Sequence, residues 1–245
     1  MSFKNESCFL ELNLCDINSQ LKSYIYKLSD EAFLLGDNAR DSINSIGEFE
    51  KRRTYLREKF IESMGGLSSL ETPLNPVVTG TIEGDGFRIE KVILESRPKT
   101  YVTCNLYIPN NIDKPVGAVL LLCGHSQNGK EDYQIACQYF AKAGMVVLVQ
   151  DPIGQSERLS YYDAATGKIN ITWGTYEHNY AGSQSLFLGE GIARYFLHDS
   201  VRAIDYLCTR PEVDPTKIGV TGCSGGGTQT CMLMLYDQRI AAAAP

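Results

Sequence analysis

No stretch of this sequence is apolar for long enough to cross a bilayer, so a membrane partner is not expected. Its opening, Met1-Ser-Phe-Lys-Asn-Glu-Ser-Cys8, has no apolar h-region, so no secretory signal peptide is expected. Lysine and arginine form no patch, and the formal net charge is -6 with a pI of about 5.2. That balance argues against nucleic acid as a partner. No two of the eight cysteines (Cys8, Cys15, Cys104, Cys123, Cys137, Cys208, Cys223 and Cys231) form a C-x-x-C pair. Several fall in apolar segments, which points to buried free thiols in a reducing cytoplasm rather than to disulfides or zinc. Internal repeats, low-complexity tracts and any call for a metal or cofactor are also missing. Histidine is scarce: His125, His178 and His198 are all there is.

What is present centres on Lys217-Ile-Gly-Val-Thr-Gly222-Cys-Ser224-Gly-Gly226-Gly-Thr-Gln-Thr-Cys231-Met-Leu-Met-Leu-Tyr236. Lys217 to Thr221 reads as a short buried strand and Gly225 to Tyr236 as a helix. Between them, residues 222–226 fit G-x-S-x-G. A serine on a tight strand-to-helix turn holds strained backbone angles, and side chains at its flanks would collide with strand and helix. Glycine at both flanks removes the collisions. Ser224 Oγ then stands at the positive end of a helix, which suits the charge that develops in acyl transfer. A nucleotide-binding P-loop is the other glycine-rich reading, but no G-K-[ST] follows.

The rest of the chain divides at Thr72-Pro-Leu-Asn-Pro76. Residues 1–72 form a helical extension, clearest from Ile46 to Met64. There Ile46, Phe49, Leu56, Phe60 and Met64 share a face, Gly65-Gly66 stops the helix, and charged residues occupy the other side. Residues 73–245 form an α/β core. Val77–Ile82, Phe87–Glu95 and Tyr101–Ile108 read as strands, with Gly84-Asp85-Gly86 as a hairpin turn. Gly117–Cys123 and Met145–Gln150 are continuous apolar strands of the kind a sheet buried on both faces requires. The helix between them, Glu131 to Ala143, carries Ile135, Tyr139 and Lys142 at helical spacing. Strand, helix, strand implies a right-handed crossover and a doubly wound sheet. A long irregular stretch runs from Glu157 to about Gly182 and holds Trp173; loops of that length are commonly lids. Leu188 to Leu207 reads as a helix with Ile192, Phe196, Ala203 and Leu207 as its buried stripe. Ile240 to Ala244 begins another buried strand.

Four stretches in this core resemble the α/β-hydrolase fold, and within it the acetyl xylan esterase and dienelactone hydrolase branch. They are Cys123-Gly-His-Ser-Gln-Asn-Gly-Lys130, Asp151-Pro-Ile-Gly-Gln155, Arg202-Ala-Ile-Asp-Tyr-Leu with Arg210-Pro-Glu-Val-Asp-Pro215, and Gly222-Cys-Ser-Gly-Gly-Gly227. Together they span about residues 76–245. The resemblance implies a mostly parallel doubly wound sheet and a serine carboxylic ester hydrolase, acting on a small-molecule or carbohydrate ester through an acyl-Ser224 intermediate. It also implies an oxyanion hole made by the backbone N–H groups of Gly225 and His125, with Ser126 the neighbouring possibility.

The same fold places an acid and then a histidine after the serine. Here the residues after Ser224 include Asp237 and no histidine. The acid and base, with the remaining strands, are therefore expected beyond Pro245, on the same chain or on a complementing one; a homo-oligomer is a further option. His178, in the long loop, could reach a substrate and is the upstream alternative as base, since triads occur in other chain orders. His198 reads as a helix histidine. Asp151, at the carboxyl end of a strand, is a pocket-lining candidate or a turn cap. Cys223 is expected to point into the core. A non-catalytic binding module and a peptidase of the same fold are the alternative readings.

Overall fold

The structure is a computed structural model that describes residues 19–245. Cys8, Cys15 and the part of the helical extension before residue 19 lie outside the described residues. The chain falls into two compact units, one ending at Leu56 and one spanning Arg57–Pro245.

In the first unit, α1 (Gln20–Asp41) leads to α2 (Ile46–Ser63), which continues into the second. Ser45 caps α2: its Oγ accepts the Glu48 N–H at 3.2 Å, and Glu48 Oε2 accepts the Asn44 N–H at 2.9 Å. Arg52 Nη2 donates to the Gly36 carbonyl at 3.0 Å, joining the two helices. The expected buried stripe of α2 is only partly buried. Ile46 is 82% exposed, and Phe49 and Leu56 are exposed too, whereas Met64 just past the helix is 4% exposed and Phe60 packs on the core. A helical stripe is buried only where another element covers it.

The second unit is built on a seven-stranded sheet. Its strands are β1 (Val77–Glu83), β2 (Phe87–Arg97), β3 (Thr100–Pro109), β4 (Val116–Leu122), β5 (Val146–Gln150), β8 (Val213–Gly222) and β9 (Ile240–Ala244), in the order β1-β2-β3-β5-β4-β8-β9. β6 (Tyr162–Asp163) and β7 (Lys168–Ile169) form a separate small hairpin. β1, β2, β3 and β5 pair antiparallel; β5, β4, β8 and β9 pair parallel. Alternation along β4 explains why both faces need cover. Val119 and Leu121 join Cys137 and Ala141 of α3 (Gln134–Lys142), while Ala118, Leu120 and Leu122 join Leu197, Val201 and Ile204 of α5 (Ala193–Thr209) and Leu233 of α6 (Gly225–Tyr236). No helix among the described residues is long and apolar enough to cross a membrane.

Three expectations are corrected. The helix expected over Glu131 to Ala143 is split, with a 3-10 turn at Gly129–Tyr133 before α3; on α3 Cys137 and Ala141 are buried and Phe140 packs beside them, while Ile135 and Tyr139 are exposed. The long stretch after β5 is not irregular throughout: α4 (Thr175–Ser185) occupies part of it. The helix expected from Leu188 begins at Ala193, after a short 3-10 turn at Leu186–Leu188; Ala203 and Leu207 of its expected stripe are buried, together with Leu197, Val201 and Ile204, while Phe196 is half-buried. β9 pairs parallel with β8, as the last strand of the described sheet.

A buried ionic centre ties α5 to the strands. Asp199 Oδ1 accepts from Ser96 Oγ at 2.7 Å and Arg97 Nη2 at 3.1 Å, and Oδ2 accepts from Arg158 Nη2 at 2.8 Å. Burial alone would raise this carboxyl; the guanidiniums of Arg158 and Arg97 overcome it and hold the group below the usual carboxylate range. Beside it, buried His198 donates Nε2–H to the Ser96 carbonyl at 2.9 Å, and its Nδ1 has no partner among the described residues. Burial, helped by Arg97 and Arg202 and opposed by the Ser96 carbonyl and Asp199, pushes the imidazole below its ordinary value.

Two outcomes follow. Asp199→Asn leaves two partly buried arginines uncompensated and should cost about 3 kcal/mol in urea unfolding. His198 is neutral in the fold, so the unfolded chain takes up its proton first as pH drops. Stability should therefore fall progressively below the ordinary value of 6.5, with a shallower slope in His198→Gln; a flat urea midpoint across that range would contradict the assignment.

Candidate active site

β8 ends at Gly222 and α6 begins at Gly225, so two residues turn the chain. Ser224 takes φ 56° and ψ -117°, a conformation that L side chains rarely adopt. The turn is closed by the Gly226 N–H to the Cys223 carbonyl at 2.8 Å and the Thr228 N–H to the Ser224 carbonyl at 3.0 Å. Its tightness dictates the glycines. A Cβ on Gly226 would lie 1.9 Å from the Leu122 carbonyl oxygen, and one on Gly222 would lie 2.5 Å from the Gly226 backbone. Ser224 is exposed, and neither its hydroxyl nor the Gly225 N–H has a hydrogen-bond partner among the described residues. Cys223 is exposed rather than turned into the core, because the strand and its in–out alternation stop one residue earlier.

The loop after β4 lies against this turn. A Cβ on Gly124 would meet the Cys223 carbonyl oxygen at 2.5 Å and Ser224 Cβ at 3.3 Å. Two side chains that sequence reasoning missed hold the loop. Tyr133 Oη accepts the Gly124 N–H at 2.7 Å, and buried Gln155 donates Nε2–H to the Gly124 and Ser126 carbonyls at 2.9 and 2.8 Å. The only signal for Gln155 was its place in the 151–155 stretch.

Asp151 does not line the cavity. It is fully buried and accepts the Lys130 N–H at 2.9 Å and the Thr103 hydroxyl at 2.7 Å, and its Oδ2 is ion-paired with the Lys130 ammonium. Gly129, at φ 55°, allows this approach: a Cβ there would sit 2.2 Å from Asp151 Oδ1. Asp151 thus fixes the far end of the 123–130 loop. Ser126 bonds Asp132 through its hydroxyl and is also absent from the cavity wall.

A cavity of about 230 Å³ opens beside the turn, lined mostly by apolar groups including Pro152, Phe196 and Met232, and by Gly225, His125 and His178. The two histidines meet there, with His125 Nε2 3.2 Å from His178 Nδ1 and His178 Nε2 2.7 Å from the Ile153 carbonyl oxygen. Burial pushes His178 below its ordinary value, and His125 adds to this, against the Ile153 carbonyl and Glu177. No histidine among the described residues hydrogen-bonds Ser224. Asp237, the one acid after the serine, pairs with Arg239 at 2.6 Å. A larger cavity of about 770 Å³, bordered by Arg97, Lys99, Arg158 and Tyr195, shares Ile192 with the smaller one. No group of three or more metal-ligating side chains that could hold an ion occurs among the described residues.

This strand–serine–helix turn, facing a glycine-bearing loop, lies wholly within residues 78–245, which match the family model described as Acetyl xylan esterase (AXE1). The chain belongs to this family. Solved structures agree on the α/β-hydrolase fold. A Bacteroides fragilis NCTC 9343 protein assigned as an acetyl xylan esterase aligns with a TM-score of 0.68 at 24% identity, over 82% of this chain and 54% of that one. Methylesterase BT1017 aligns with a TM-score of 0.64 at 25% identity, over 84% and 43%. An acetyl xylan esterase from Paenibacillus sp. R4 aligns with a TM-score of 0.54 at 24% identity, over 80% and 56%. The chain spans about half the length of these structures. No curated protein sequence matches it.

The turn's steric demand is directly measurable. Gly226→Ala should lower unfolding free energy by about 3 kcal/mol, the upper range for overpacking, because the obstacle is backbone. Gly36→Ala, in the interior of α1 with nothing within 4 Å of the added carbon, should instead stabilise by about 0.5–1 kcal/mol. Urea midpoints of the two variants moving the same way would contradict the reading.

Proposed function

We propose that the full-length protein is a serine carboxylic ester hydrolase acting on carbohydrate esters. Ser224 Oγ attacks the ester carbonyl. A histidine takes the serine proton and returns it to the departing sugar oxygen, and water then releases the acid from acyl-Ser224. The N–H groups of Gly225 and His125 hold the oxyanion of each tetrahedral intermediate. The observation that carries this reading is the Ser224 backbone, strained at φ 56° on the N-terminal side of α6, with its hydroxyl unpartnered among the described residues.

Family membership supports the ester and sugar classes. The 230 Å³ cavity suits a small acyl or alcohol part, and the adjoining larger cavity suits the rest of a glycan. Since no described histidine reaches Ser224, the reading assigns the base, and the acid that orients it, to chain following Pro245; the greater length of the solved relatives supports this. Free thiols at Cys104, Cys123, Cys137, Cys208, Cys223 and Cys231 support a cytoplasmic setting.

A fluorophosphonate probe should label the full-length protein at Ser224, and Ser224→Ala should abolish both labelling and aryl acetate hydrolysis. Labelling that survives the substitution would remove the nucleophile from the scheme. Peptide turnover without sugar-ester turnover would move the reading to a peptidase. Absence of all turnover would leave a binding module.

A further inference from the structure

The histidine pair beside the turn has a fixed proton order. A carbonyl oxygen only accepts, so the 2.7 Å contact from the Ile153 oxygen requires the proton of His178 on Nε2. A neutral His178 then carries its lone pair on Nδ1. Its environment favours neutrality: the ring is packed edge-on against Phe196 at 4.9 Å between centroids, and burial disfavours the cation. His178 Nδ1 accepts at 3.2 Å from His125 Nε2, which places the His125 proton on Nε2. In the neutral tautomer of His125 that this contact selects, the lone pair lies on Nδ1.

That end faces the turn. A Cβ on Gly225 would lie 3.0 Å from His125 Nδ1 and 2.9 Å from its Cε1. Both rings line the 230 Å³ cavity, whose remaining wall is dominated by Pro152, Ile192, Phe196 and Met232. Gln229 does not supply Nδ1 with a donor, since its amide N–H groups go to the Cys123 and Gly225 carbonyls. His125 Nδ1 therefore presents an acceptor, without a donor among the described residues, beside the residue proposed to hold the oxyanion. An acceptor there suits a hydroxyl donor.

We propose that His125 Nδ1 accepts a hydrogen bond from a free hydroxyl next to the esterified one, and that His178 is the positioning residue that sets the His125 tautomer. The substrate class is an ester of a sugar or other polyol whose neighbouring hydroxyl is unblocked. Simple alkyl or aryl esters lack that donor. The inference rests on the esterase reading for its reaction but not for its binding chemistry. One hydrogen bond of this kind corresponds to about tenfold in kcat/KM.

Two measurements test it. The first compares a monoacetylated methyl xyloside with its analogue lacking the neighbouring hydroxyl, in full-length wild-type protein and in His178→Phe. Because a ratio is read within each protein, a general loss of rate does not enter. The wild type should favour the hydroxyl-bearing ester about tenfold, through KM, and the ratio should fall towards one in His178→Phe. A wild-type ratio near one, or one unchanged by the substitution, overturns the proposal. The second needs neither turnover nor a change at His178. ¹⁵N NMR of Ser224→Ala protein should show His125 Nδ1 as an unprotonated imine nitrogen that shifts on adding methyl xyloside but not the deoxy analogue. A protonated Nδ1, or equal shifts with both sugars, overturns it even in an active esterase. Failure of the esterase reading alone leaves the NMR result intact.

Discussion

The carbonyl oxygen of Leu122 and the backbone of Gly226 approach so closely that a methyl group at residue 226 would lie 1.9 Å from that oxygen. This contact locks the start of α6 onto the end of β4, and much else follows from it. With α6 held there, the two residues between Gly222 and Gly225 must reverse direction at once, and Ser224 takes the strain. The same approach brings Gly124 under the serine and aligns the loop after β4 with the first N–H groups of α6. Strain in the turn and placement of the loop are consequences of one close backbone contact.

Strain of this kind persists only where neighbours over-determine it. Here the neighbours are polar and largely hidden. Gln155 grips two carbonyls of the loop, Tyr133 takes its first N–H, and Asp151 with Lys130 pins its far end. Further out, Asp199 gathers Ser96, Arg97 and Arg158, so that α5, β2 and the chain after β5 share one buried carboxylate. The wall of the smaller cavity is thus anchored through charges that do not line it, although Arg97 and Arg158 border the larger one. That division leaves the wall free to be mostly apolar, with His125 and His178 as its prominent polar features.

Much of this was legible in the sequence, for particular reasons. The turn announced itself because sterics allow few residue types there, and β4 and β5 because double burial demands unbroken apolar runs. α4 was hidden because Thr175–Ser185 has no apolar stripe to mark a period. The buried face of α3 was not marked in the sequence because its fully buried residues, Cys137 and Ala141, are small, while Ile135 and Tyr139 are exposed. Cys223 was misplaced by extending strand alternation one residue too far. Gln155 and the histidine pair act through contacts between distant segments, and a linear sequence carries no distance between residue 125 and residue 178.

The order of strands in the sheet differs from their order in the chain, and this bears on how the molecule assembles. β1, β2 and β3 are neighbours in both, so they can zip up by short hairpins as soon as they leave the ribosome. β8 must instead dock beside β4, matching Gly222 with Leu122 across a hundred residues of intervening chain. Such non-local pairing forms more slowly than a hairpin. The reacting end of the sheet is accordingly built by a long-range pairing, after the hairpins that precede it in the chain.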